Sequence, residues 1–188
     1  MNSLQLREDS RRGRRQRDML WAASDVFAAF GHDLANMQMI AESAGVTKAT
    51  LYAHFGDKAQ LFRAVIEYWM EELPEPSLPC EVSGELRSGL EAVAQALLQQ
   101  SMHPAFLALT NILLRSNWVP QKRWRQRYRP YQAYLETALG QSARCSDPVR
   151  AASQFLLLAV GNLDPGTGTF TDESRIAAAV DLFVQAYT

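Results

Sequence analysis

The chain has 188 residues, 47% hydrophobic and 21% charged. That composition suits one globular domain or two small ones and excludes a wholly disordered chain or a coiled-coil rod. Its longest apolar runs, such as residues 155–160, fall far short of the ~20 residues a membrane-spanning helix needs. The polar, basic N-terminus lacks the apolar core of a signal peptide, so no membrane partner is expected. Two cysteines, Cys80 and Cys145, are too few for a disulfide framework or a zinc site and read as free thiols of a cytoplasmic protein. The net charge of −1 conceals an asymmetry: residues 1–63 carry 9 Lys/Arg against 7 Asp/Glu, and the remainder 10 against 13. Arg7, Arg11, Arg12, Arg14, Arg15 and Arg17 crowd one end, which points to an anionic partner.

Strand signals are nearly absent and helical periodicity runs throughout, so the expected fold class is all-α, with about nine helices. After a flexible basic tail (1–13), the first helix is expected from about Arg14 to Phe30, with Leu20, Ala23, Phe27 and Phe30 on one apolar face and Gly31 just past its end. Asn36 is a natural cap for a short second helix over Met37–Ser43. Ala44-Gly45-Val46 makes a glycine turn, and Thr47 caps a third helix, Lys48–Phe55, with Leu51 and Phe55 inward. Asp57 and Gln60 form a capping box for a fourth helix ending near Leu73. Pro74, Pro76 and Pro79 then set a boundary between a domain at 14–73 and another at 80–188. The second domain carries five helix signals, at about Glu81–Ser101, Pro104–Ser116, Lys122–Gly140, Asp147–Gly161 and Asp172–Tyr187, with Asn162–Thr171 as a loop.

Two short helices joined by a glycine turn, behind a longer amphipathic helix, make a helix-turn-helix, whose second helix fits the DNA major groove. The residues Gly31, Ile40-Ala41, Ala44-Gly45-Val46-Thr47, Thr50-Leu51-Tyr52, His54-Phe55 and Asp57-Lys58 with Leu61 resemble the TetR family of transcriptional regulators. His32 departs from the usual aromatic, and Ala35 from the threonine that often starts the second helix. The resemblance implies an N-terminal DNA-binding domain followed by a helical ligand-binding and dimerisation domain. It also implies a repressor that binds a palindromic operator as a homodimer and is released by a small-molecule effector.

With Leu51 and Phe55 inward, the third helix presents Lys48, Ala49 and Tyr52, flanked by Thr47 and His54. A lysine in the first turn can donate to guanine O6 or N7, and a small alanine permits close approach to a thymine methyl. Thr47 and Thr50 can donate hydroxyls. The resemblance places Tyr52, His54 and Lys58 on the phosphate backbone. Asn36 is a cap first and a phosphate contact second. Arg14 and Arg15, closest to the folded helix, are the candidates for a basic arm in the minor groove or along a phosphate ridge.

In the second domain an aromatic-rich stretch supplies candidate pocket residues: Phe106, Leu109, Leu113, Trp118, Tyr128 and Tyr131, with Trp69 from the fourth helix and Trp124 and Tyr134 nearby. The run Lys122, Arg123, Arg125, Arg127 and Arg129 reads as a solvated face. The last two helices carry more apolar residues than one face needs, so Phe155, Leu158, Val180, Phe183 and Val184 are expected at a four-helix dimer interface. No nucleophile elbow, phosphate loop or paired metal-ligating histidines are visible, so neither an enzyme nor a cofactor or metal is expected. The competing expectation is a co-regulator of the same fold that acts through protein contacts without specific DNA binding.

Overall fold

The computed structural model describes residues 3–80, 82, 85–116, 121–160 and 173–188. Among them are nine helices and no strand: α1 (Ser3–Leu34), α2 (Met37–Ser43), α3 (Lys48–Phe55), α4 (Lys58–Glu72), α5 (Leu86–Ser101), α6 (Pro104–Leu113), α7 (Gln121–Gly140), α8 (Pro148–Val160) and α9 (Glu173–Tyr187). The expected loop at Asn162–Thr171 lies outside the described residues.

One expectation needs correcting at the N-terminus. The backbone is already helical at Ser3, so the segment read as a flexible tail is part of α1. The reason is propensity: between Ser3 and Arg14 there is no proline, and Leu, Gln, Arg and Glu dominate. A single Gly13 costs only ~1 kcal/mol in a helix interior. Like charges on a helix weaken it by tenths of a kcal/mol per pair, which is too little to stop it.

The chain divides into two compact units. The first comprises Met1–Glu72 with Ala108–Trp118, the second Leu73–Leu107 with Val119–Thr188. A single boundary read from the proline cluster does not foresee that residues 108–118 return to the first unit. In that unit α1 packs on α2 and α4, and α3 on α2 and α4. Phe27 meets Phe62 edge-on at 4.9 Å between ring centroids. The Trp69 indole donates to Ser24 Oγ (2.7 Å), which itself donates to the Leu20 carbonyl (2.7 Å), so the buried indole N–H and serine hydroxyl are both satisfied.

At Gly31 the backbone leaves the helix with φ 71° and ψ 170°, a conformation open essentially to glycine alone. The Arg115 guanidinium donates to the Ala29 carbonyl in the turn just before it. Around the following residues the Lys58 ammonium donates to the carbonyls of His32 (2.8 Å), Ala35 (3.0 Å) and Asp33 (3.4 Å). Carbonyls orphaned where α1 ends are therefore held by a cation from α4.

In the second unit α5 packs against α7 and α9, and α8 against α7 and α9. Leu90 and Val93 of α5, Tyr131 and Leu135 of α7, Phe155 and Leu156 of α8, and Ile176 and Phe183 of α9 are buried there. Pro130 sits inside α7. Having no N–H, it cannot bond the carbonyl four residues back, and the helix continues past it on its packing.

Candidate nucleic-acid interface

The helix-turn-helix is built locally. Asn36 Oδ1 accepts from the N–H groups of Gln38 and Met39, each at 3.0 Å, which starts α2. Met37, Ile40 and Ala41 are its buried face. The turn closes with Val46 N–H on the Ala41 carbonyl (3.0 Å), and Gly45 carries the positive φ of 63° that such a helix end requires. Thr47 Oγ1 then accepts from Thr50 N–H (3.1 Å) and lies 2.8 Å from Thr50 Oγ1, which starts α3.

On α3, Leu51 and Phe55 are buried. Lys48, Ala49, Tyr52 and Ala53 face solvent, and Tyr52 keeps 43% of its surface exposed. The Lys48 ammonium stands 5.9 Å from the Tyr52 ring centroid, close enough for a cation–π attraction that holds the two side chains as one pair. No acidic residue occurs on α3. A cation, a phenol and the positive end of a short helix therefore share one exposed face, an arrangement that attracts anions. Ala53 belongs to that face and is absent from the expected set; its spacing of four from Ala49 was the available signal.

The remaining expected DNA residues fall differently. Arg14 and Arg15 are exposed on α1. His54 is half-buried beside Phe55, at 6.1 Å between rings. Lys58 is the clear departure. The sequence expectation put it on a phosphate, but its ammonium faces three backbone carbonyls at the end of α1. With three N–H groups and three acceptors, this geometry leaves no donor for a phosphate. Gln60 also differs in detail: its backbone N–H takes Asp57 Oδ1 (2.7 Å), and its side-chain amide bonds Asp57 Oδ2 (3.3 Å) instead of closing a reciprocal capping box.

The expected pocket residues are drawn from both units. Trp69, Leu109 and Leu113 are buried in the first unit, and Trp118 lies outside the described residues. In the second unit Phe106, Trp124, Tyr128 and Tyr131 form a continuous aromatic row, with successive ring centroids 5.8, 6.1 and 6.0 Å apart. The Tyr131 hydroxyl donates to Gln100 Oε1 (2.8 Å). Burial pushes the Tyr128 phenol well above its ordinary range, reinforced by Tyr131. Burial likewise pushes Tyr131 up to about 12, against the opposing pull of Arg127. The charge run of α7 predicts a solvated face for Arg127 as well. The structure makes it half-buried, with Nε fully enclosed and Nη2 on the Pro74 carbonyl. Its spacing of three from Trp124 and four from Tyr131 places it on the aromatic side of α7, and that phase was legible.

The expected dimer residues also need correcting. Phe155, Val180 and Phe183 are buried within the single chain, where Phe155 and Phe183 meet edge-on at 5.3 Å. Of the expected five, only Leu158 (43% exposed) and the half-buried Val184 reach the surface. The apolar side chains that α8 and α9 do leave exposed are Val149, Leu157 and Leu182 with Leu158. Apolar content alone could not separate these two sets, because both serve the same two helices.

Residues 20–65 match the family model for bacterial regulatory proteins of the tetR family. Over 68 residues the chain is 43% identical to the HTH-type transcriptional activator FasR of Mycolicibacterium smegmatis, a match covering 36% of this chain and 29% of FasR, so it spans under a third of that relative. A crystal structure of a TetR transcriptional regulator from Agrobacterium tumefaciens superposes with a TM-score of 0.68 at 22% identity, covering 92% of this chain and 94% of that one. The flavonoid-responsive regulator FrrA superposes with a TM-score of 0.57 at 29% identity, covering 93% and 97%.

Proposed function

We propose that this chain, whose residues 20–65 match the family model for bacterial regulatory proteins of the tetR family, is a cytoplasmic, dimeric DNA-binding regulator of that family, most simply a repressor, released from a palindromic operator by a small-molecule effector. The observation that carries the DNA-binding part is the exposed α3 face: Lys48, Ala49 and Tyr52 stand outward at a capped helix start with no carboxylate on the helix. Lys48 is assigned to a base edge and Tyr52 to the backbone, with Thr47, Thr50, His54 and Asn36 as flanking donors. Arg14 and Arg15 add sequence-independent attraction. Lys58 supports the reading surface by fixing the end of α1 and is not assigned a phosphate.

One α3 reads few base pairs, so specific binding calls for two copies about 34–36 Å apart. Leu157, Leu158, Leu182 and Val149 supply an exposed apolar surface on α8 and α9 for that pairing, with the half-buried Val184 beside them on α9. The second unit, with its aromatic row, is the assigned sensor. FrrA's description as flavonoid-responsive supports an organic effector for a chain of this architecture. FasR's description as an activator favours a second reading in which the bound protein raises transcription.

The test is titration of the full chain onto a fluorescent duplex of its own upstream intergenic DNA at two salt concentrations. Specific binding predicts preference over scrambled DNA and a log–log salt slope of about −0.9 per neutralised phosphate. Lys48→Ala should cost ~1–3 kcal/mol on the specific duplex only. Tyr52→Ala should weaken both duplexes. Equal affinity for specific and scrambled DNA would move the assignment to the co-regulator that works through protein contacts. A reporter gene measured with and without the regulator separates repression from activation.

A further inference from the structure

We infer that the sensor unit recognises its effector through an anionic group, a carboxylate on an apolar body, seated on the enclosed edge of Arg127 beside the Tyr128 and Tyr131 phenols. This rests on the reading of the second unit as a sensor and adds the chemical class of ligand. The whole cluster lies inside that unit.

The starting observation is an unmatched charge. Arg127 Nε is enclosed by protein and has no hydrogen-bond partner. Its Nη2 donates to the carbonyl of Pro74, which is polar but uncharged. Among the described residues no carboxylate lies within ion-pair distance of the guanidinium. A guanidinium cannot shed its proton inside a protein, so burial cannot relieve the charge by neutralising it. An enclosed cation is stable only when paired or hydrogen-bonded, and here the pairing is incomplete.

The neighbours could not supply the missing anion. Tyr128 and Tyr131 flank Arg127 on α7, and burial holds both phenols neutral at physiological pH. They are hydroxyl groups beside a cation, not counter-ions to it. Glu75 stands close enough to raise Tyr131 electrostatically, yet it is exposed to solvent. The other polar group of the cluster, Gln100, already accepts from Tyr131. The arrangement therefore offers a positive edge with a partnerless Nε, aromatic rings from Trp124 and Phe106, and one nearby carboxylate, Glu75, that is held out in solvent. The guanidinium fork matches a carboxylate geometrically. The aromatic row matches a small apolar body.

The experiment pairs acids with their neutral amides on the full-length protein: phenylacetate against phenylacetamide, 3-phenylpropionate against its amide, and hexanoate against hexanamide, by isothermal titration with thermal-shift confirmation. At least one acid is expected to bind in the micromolar range and at least tenfold more tightly than its amide. Arg127→Gln should remove that preference, and Arg127→Lys should keep part of it because charge survives without the fork. The acid–amide comparison needs no variant, so a poorly folding Arg127→Gln does not blunt the test. An amide that binds as tightly as its acid, an unchanged preference in Arg127→Gln, or no acid binding below millimolar overturns the inference. Operator affinity measured in the same samples separates the two readings. A neutral compound that releases DNA would sink the anion site and leave the regulator standing. An acid that binds through Arg127 without changing DNA affinity would leave the site standing and sink the regulatory role.

Discussion

Replacing Gly31 with alanine tests whether the close approach at the end of α1 is a fixed feature of the first unit. Two separate costs can be worked out. The first is conformational: φ 71° with ψ 170° lies in a region essentially reserved for glycine, and a side chain forced there costs ~1–3 kcal/mol. The second is steric: an added Cβ would stand 2.6 Å from the Arg115 carbonyl oxygen and 3.4 Å from Arg115 Cβ. The first of these is backbone, which cannot swing aside, so relief requires moving the 115 segment and breaking its bond to Ala29. Overpacking of that kind costs typically ~1–3 kcal/mol. Alanine also stiffens the unfolded chain, which returns ~0.4–1 kcal/mol. The expected net loss is about 1–6 kcal/mol, a large share of the ~5–15 kcal/mol that holds a domain folded. Gly45→Ala is the matched control. Gly45 also has positive φ, 63°, but a Cβ there meets nothing within 4 Å. It should cost only the left-handed penalty of ~1–2 kcal/mol. Urea unfolding followed by circular dichroism and tryptophan fluorescence reads both variants. If Gly31→Ala loses no more stability than Gly45→Ala, the reasoning about the Arg115 carbonyl is wrong.

Lys58→Met should destabilise the first unit by about 1–3 kcal/mol, because it removes the donor shared by three backbone carbonyls. Any loss of DNA affinity should then disappear at a temperature low enough to keep the variant folded; affinity still lost in the folded variant would return Lys58 to the phosphate backbone. Leu157→Glu with Leu182→Glu should convert a dimer to a monomer in sedimentation velocity while melting temperature at matched helicity stays close to wild type, since both side chains are about half exposed. Phe155→Ala should instead cost about 3–5 kcal/mol as a buried-cavity change; the opposite pattern would restore the expectation that Phe155 is an interface residue. At alkaline pH the second unit should weaken. Tyr131 is held up to about 12 against an unfolded value of 10.0, so the folded state keeps its proton longer. Stability is then full below pH 10 and falls as pH rises toward 12. Tyrosinate absorbance should show a late phase coinciding with helix loss, and that phase should shrink in Tyr131→Phe. A late phase unaffected by the substitution would assign it to another group.

The DNA-binding half was legible because its signals are local. Asn36, Gly45 and Thr47 act within a turn of their own position, so cap and turn chemistry read directly from neighbours in sequence. Leu51 and Phe55 face inward through a four-residue step that needs no knowledge of what they pack against. The errors begin where a side chain has two chemically sensible destinations. A lysine near a helix start can serve a phosphate outside or carbonyls inside. The choice for Lys58 depends on how closely the end of α1 approaches α4, a distance no spacing rule contains.

The same limit governs the second unit, and it explains which residues changed roles. Helical phase says that Trp124, Arg127, Tyr128 and Tyr131 share a side of α7, but not whether that side is covered. For the three aromatics either answer is chemically comfortable, so the sequence carries no penalty for being wrong. For Arg127 the answer decides everything: exposed, it is one more solvated cation, and enclosed, it is a charge that must be answered. The structure half-buries it, with Nε enclosed and Nη2 on the Pro74 carbonyl. Phe155, Val180 and Phe183 moved the other way, from an assumed interface into the core, because four mutually packed helices absorb more apolar surface than two helices considered alone. What remains exposed after that absorption, Leu157, Leu158 and Leu182, is the better guide to a partner, since an apolar side chain left in water by a folded unit is one that folding itself had no use for.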